Sequence, residues 1–70
     1  MNVHKLKSGS VLKYTGDDVT YGGYEDPSKT LTKNQQYILS EVKIKSSTTG
    51  LIFRGIFPEF NSVNFEVIQY

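Results

Sequence analysis

The sequence predicts an all-β fold, one small domain of about five strands around a thin core. Three observations carry that expectation. Most apolar residues are β-branched or aromatic, and five tyrosines and four phenylalanines stand among them. Such side chains suit a pleated, half-buried surface better than a helix. Alanine, the best helix former, does not occur. Where apolar residues cluster, they alternate with polar ones at period two, the spacing of a strand with one wet face.

Seventy residues support a single domain over residues 1–70, because independent domains rarely fall much below about 50 residues. A domain this small buries only about 60% of the surface its unfolded chain exposes. With no cysteine, neither a disulfide nor a thiolate metal site is available, so packing alone must hold the fold. Absence of cysteine also suits a reducing cytoplasm, which is the expected location. Eight basic and seven acidic residues leave the net charge near zero, whereas domains built for phosphate backbones usually carry a basic excess. No apolar run approaches the roughly 18 residues of a membrane span, and residues 1–7 lead into no signal-like apolar stretch.

Residues 1–8 read as an N-terminal segment that pairs at an edge or frays. Val11, Leu12, Lys13, Tyr14 and Thr15 form the first strand, opened by Ser8-Gly9-Ser10 and closed by Gly16-Asp17-Asp18, both turn formers. Residues 16–29 are a polar stretch broken by Gly22-Gly23 and Asp26-Pro27, which predicts an irregular loop. Loops beyond about 12 residues in a compact domain usually either serve function or lack order. Thr32-Lys33-Asn34-Gln35 read as a turn into the second strand. There Tyr37, Leu39 and Glu41 alternate, and Val42 and Ile44 resume one register later. That slip near Ser40 and Glu41 predicts a β-bulge or bend, through which one strand serves two faces of a barrel.

Residues 46–50 read as a hairpin loop, with Gly50 expected at positive φ. Leu51 to Arg54 return as a strand, Gly55 marks a bend or a close backbone approach, and Ile56-Phe57 continue until Pro58 ends the ladder. Residues 58–62 read as a turn, one turn of 3-10 helix, and residues 63–68 as the last strand. Phe53, Phe57, Phe60, Phe65, Tyr37, Val42 and Ile44 are expected in the core.

This order resembles the layout of SH3-like small barrels. The likeness is carried by residues 31–39, a diverging turn feeding a strand, and by residues 60–67, a short turn before the closing strand. It implies a ligand groove lined by the long loop and its aromatics, where proline-rich peptides dock in such barrels. Tyr14-Thr15-Gly16, Asp26-Pro27 and Phe60-Asn61-Ser62-Val63-Asn64-Phe65-Glu66 are also similar to stretches of short accessory proteins of bacteriophage and prophage genomes. That second likeness implies a protein acting inside a bacterial cell on a host protein, with inhibition of a host or defence factor as one purpose.

The residues themselves point away from catalysis. The one histidine, His4, stands in the N-terminal segment, and the usual nucleophile systems need a base near neutrality. Gly22-Gly23 lacks the further glycine and the Lys-Ser/Thr of a phosphate loop, and reads as a tight turn. The acidic pairs Asp17-Asp18 and Glu25-Asp26 keep a loop solvated and do not match the calcium loop of an EF-hand. No cofactor, metal site or catalytic residue is expected. By the barrel likeness Tyr14, Tyr21, Tyr24, Glu25 and Asp26 form a contact face for a protein partner, unless the tyrosines serve only to pin the loop. The alternative is a nucleic-acid face of Lys13, Lys43, Lys45 and Arg54. Exposed strand lysines also protect edges from aggregation.

Overall fold

The computed structural model describes residues 1–70, and its only helical segments are short 3-10 turns. Five strands, β1 (Val11–Tyr14), β2 (Gln36–Ile44), β3 (Thr49–Phe53), β4 (Phe60–Asn61) and β5 (Phe65–Gln69), form one antiparallel sheet in the order β4-β3-β2-β1-β5. The all-β expectation therefore holds. The 3-10 turns are η1 (Val3–Lys5), η2 (Pro27–Lys29) and η3 (Ser62–Asn64).

β2 organises the sheet. Its first residues pair with β1, and its remainder pairs with β3 after a register shift between Leu39 and Glu41. This is the slip the alternation pattern predicts, and it reaims the strand's side chains midway along its length. β4 and β5 form the two edges, and the single turn η3 joins them. No ladder pairs these edges, yet their aromatic rings meet: Phe65 lies 5.0 Å from Phe53 and 6.2 Å from Phe60, centroid to centroid. Tyr14 and Phe65 add a further tilted contact at 5.8 Å. Around these rings Leu6, Leu12, Leu31, Leu39 and Leu51 complete the buried core.

The N-terminal segment is part of this packing. Leu6 joins the core, and the Asn2 N–H donates to the Tyr70 hydroxyl at 2.7 Å. Buried Ser10 donates its hydroxyl to the Tyr70 carbonyl at 2.9 Å and accepts the Lys7 N–H at 3.0 Å.

Four details of the sequence reading are corrected. Gly55 takes a φ of +74°, and Ile56 N–H returns to the Phe53 carbonyl at 3.2 Å, so the chain turns out of the ladder before Phe57. Phe57 consequently stands 97% exposed instead of in the core. Ile44 is the last residue of β2 and lies exposed, while Val42 is half-buried against the core. Gly50 belongs to β3 and has no positive φ; the hairpin turns at Ser46-Ser47, with Lys45 N–H bonded to the Thr48 carbonyl at 2.9 Å. Val63 sits exposed in η3, and the last strand begins at Phe65.

The two phenylalanines at the extremes of burial should behave oppositely. Phe65→Ala leaves a cavity among three rings and should cost about 3–5 kcal/mol in urea unfolding. Phe57→Ser should change stability by no more than about 0.5 kcal/mol. Equal losses would contradict these strand boundaries.

Candidate functional site

Residues 15–35 join β1 to β2 without a strand of their own. They are fastened to the sheet chiefly by side chains. Asn64, fully buried, accepts the Val19 N–H at 2.7 Å and donates to the Val19 carbonyl at 2.8 Å. A side-chain amide carries both donor and acceptor, so it replaces the pair of bonds a neighbouring strand would supply. Asn61 donates to the Tyr21 carbonyl at 3.2 Å, and its Oδ1 accepts the Val63 N–H to cap η3. Thr15 donates both its N–H and its hydroxyl to the Asn64 carbonyl, at 2.8 and 2.9 Å. The Tyr14 hydroxyl donates to the Asp18 carboxylate. Burial, then that bond, raises the Tyr14 phenol above its ordinary value and keeps it a donor.

The far half of the loop is tied to the β2–β3 hairpin. The Tyr24 hydroxyl lies 2.8 Å from that of Thr48, and the Lys45 ammonium sits 4.8 Å from the Tyr24 ring centroid. Glu25 N–H donates to the Glu59 carbonyl at 3.1 Å. The Glu59 carboxylate binds Lys45 at 2.9 Å, lies 3.8 Å from Lys43, and crosses over Gly50, where any Cβ would overlap it. Glycine at position 50 thus lets the Glu59 side chain lie across the backbone; a Cβ there would have to displace it. Lys45 is raised above its ordinary value by the Glu59 bond first and by Tyr24 second. Asp26 caps η2 by accepting the Ser28 hydroxyl at 2.8 Å and the Ser28 N–H at 3.0 Å, and these two bonds, the hydroxyl's first, hold its carboxyl below its ordinary value.

The tyrosines of the sequence-derived contact face divide between two tasks. Tyr14 is 2% exposed and Tyr24 8%, so both are anchors of the loop. Tyr21 is 58% exposed and projects from the Gly22-Gly23 turn, whose residues take φ of +88° and +83°. Glu25 is exposed, and Asp26 is occupied in capping η2. Of the five, only Tyr21 and Glu25 are exposed.

What does converge is a groove of about 300 Å³ between the long loop, the β2–β3 hairpin and η3. Its buried lining residues, Thr49, Asn61 and Ser62, are polar. Its exposed large residues are the apolar Tyr21, Ile44 and Val63, from three separate elements, together with the polar His4 and Lys45. Val3 and His4 of η1 contribute further lining, and Ser46, Ser47 and Thr48 supply hydroxyls. Chemically this is a mixed site: the Asn61 amide is already engaged, so hydroxyls of the hairpin, the Lys45 ammonium and the three exposed apolar side chains are what it offers.

Of the four residues of the alternative nucleic-acid face, three are paired with carboxylates. Lys13 is bridged to Glu66 at 3.2 Å on β1 and β5, whereas Lys43 and Lys45 share Glu59 at the other end of β2. Arg54 is exposed just beyond β3. No three of the histidine, aspartate and glutamate side chains group as a metal site, and no helix is long and apolar enough to cross a membrane. No protein-family model, curated protein or solved structure matches this chain.

Sequence reading missed Asn61, Asn64 and Glu59 as organising residues. Their partners lie up to 45 residues away, and neither periodicity nor local turn chemistry marks them. Asn64→Ala should leave both Val19 backbone groups without partners and cost about 1–3 kcal/mol in urea unfolding. It should also open the loop to protease while the strands remain folded. A midpoint equal to the parent's would show that the clamp contributes nothing.

Proposed function

We propose that this chain is a non-enzymatic binding module that takes an extended segment of a protein partner into the groove beside Tyr21. The observation that carries this reading is the convergence of Tyr21, Ile44 and Val63, all exposed, around a polar floor. Single exposed apolar residues are ordinary on a protein surface. Three from separate elements, facing one hydrogen-bonding trough, suit a peptide whose backbone meets the floor and whose side chains meet the rim. Tyrosine is a favoured anchor for such contacts because it offers a large surface with few torsions to freeze.

The strand order and the placement of the long loop and η3 support the SH3-like resemblance, and with it a groove on this side of the sheet. The likeness to phage and prophage accessory proteins directs the search for the partner to bacterial cytoplasmic proteins, including host and defence factors. The separation of Lys13, at the β1 end of β2, from Lys43 and Lys45 at its far end favours protein over nucleic acid, since these lysines do not form one continuous track for a phosphate backbone. The non-catalytic part of the reading rests on the scarcity of candidate bases, with His4 the lone histidine.

Peptides selected on the folded protein from a displayed random library provide the test. They should shift the amide resonances of Tyr21, Ile44, Thr48 and Val63. Tyr21→Ala should weaken them by about thirtyfold, near 2 kcal/mol, while altering stability by less than about 0.5 kcal/mol. Shifts centred on Lys13 and Arg54, or undiminished binding by the variant, would remove the groove from consideration.

A further inference from the structure

We propose that the loop between β3 and β4 pairs two copies of this chain, with Phe57 of each copy entering the pocket beside Phe57 of the other. Phe57 is 97% exposed, the most exposed of the large apolar residues. It stands at the edge of an open pocket of about 570 Å³, whose lining includes Ile52, Phe53 and Ile56. Pockets of roughly 300–1,000 Å³ hold molecules of many atoms, so a phenyl ring fits with room to spare. A protruding aromatic and an apolar recess therefore occupy one surface patch. A dissimilar partner has use for one or the other, whereas a twofold axis uses both at once, because each patch meets its own copy.

Charge supports the same occupant. Lys43 and Glu59 both line the pocket and lie 3.8 Å apart. Across a twofold axis the lysine of one copy faces the glutamate of the other, so the homotypic contact joins unlike charges. A patch of a single sign would have repelled itself. The pairing is expected to be weak and concentration-dependent. A standard interface takes about 800 Å² from each partner, a large part of a total surface of 4126 Å², and few residues surround this pocket. No residue lines both this pocket and the Tyr21 groove, although the Glu59–Lys45 bond joins their margins, and the inference does not rest on the peptide reading.

Sedimentation equilibrium from tens of micromolar to about one millimolar tests it. The dimer fraction should rise with concentration for the parent. Phe57→Ser, with its thermal midpoint unchanged, should raise the dissociation constant at least about tenfold. Lys43→Glu and Glu59→Lys should each weaken pairing when alone, since each sets like charges across the axis. An equimolar mixture of the two variants should pair again, because every contact in the mixed dimer joins unlike charges. A parent that sediments as a monomer throughout would overturn the proposal. So would undiminished association of Phe57→Ser, or a mixture no better than its components.

Discussion

The placement of the long loop between β1 and β2 depends first on one side chain, the buried amide of Asn64. Fixing a residue's backbone costs about 1–2 kcal/mol in entropy, and residues 15–35 must be fixed without a ladder of their own. By bonding both polar groups of Val19, Asn64 acts as a strand of one residue. Asn61 repeats the device more weakly at Tyr21, and it also caps the turn that positions Asn64. The course of the backbone at Val19 and Tyr21 is held by these bonds. No buried side-chain polar atom lacks a partner, so the clamp adds polar groups to the interior without leaving any unmet.

Glu59 performs a complementary task at the opposite end. Its carbonyl receives the loop through Glu25, and its carboxylate gathers Lys43 and Lys45 over the bare backbone of Gly50. Individually these exposed ion pairs contribute little stability. Their role is geometric: the Glu59–Lys45 pair sets the Lys45 ammonium against the Tyr24 ring. A chain without disulfides thus replaces covalent staples with a few side-chain-to-backbone bonds of long sequence separation. Of the three exposed aromatics, Tyr70 receives the Asn2 N–H, and Tyr21 and Phe57 are the two whose rings are left over when the structural tasks are filled.

The sequence made the sheet legible because each strand there obeys a local rule. Period-two alternation located β2, and its broken register located the shift at Leu39 and Glu41. The polar run after β1 revealed the loop, and Phe60 and Phe65 announced themselves as core. Errors arose where a local rule met a tertiary one. Ile56-Phe57 reads as a continuing strand, but Gly55 at positive φ diverts it. Gly50 reads as a turn residue because its reason, the Glu59 side chain, lies outside any local window. Of the candidate site, Tyr21 was legible, since a tyrosine beside two glycines in a polar loop is conspicuous. Tyr14 and Tyr24 have similarly polar neighbours but are recruited inward by Asp18 and Thr48. Ile44 looked like core, and Val63 like the start of a strand, because local pattern alone does not say where a strand ends or which residue is the last to be covered.

If the asparagine clamp organises the loop, the groove exists before any partner arrives. Native-state amide hydrogen exchange reads this directly at Val19, whose N–H lies in an irregular segment yet bonds to a buried acceptor. The expected result is protection of Val19 comparable to the amides of β1 and β5, with unbonded loop neighbours exchanging freely. Exchange of Val19 at the rate of an open chain, with the strands still protected, would contradict the account. It would mean that the loop is ordered only by what it binds.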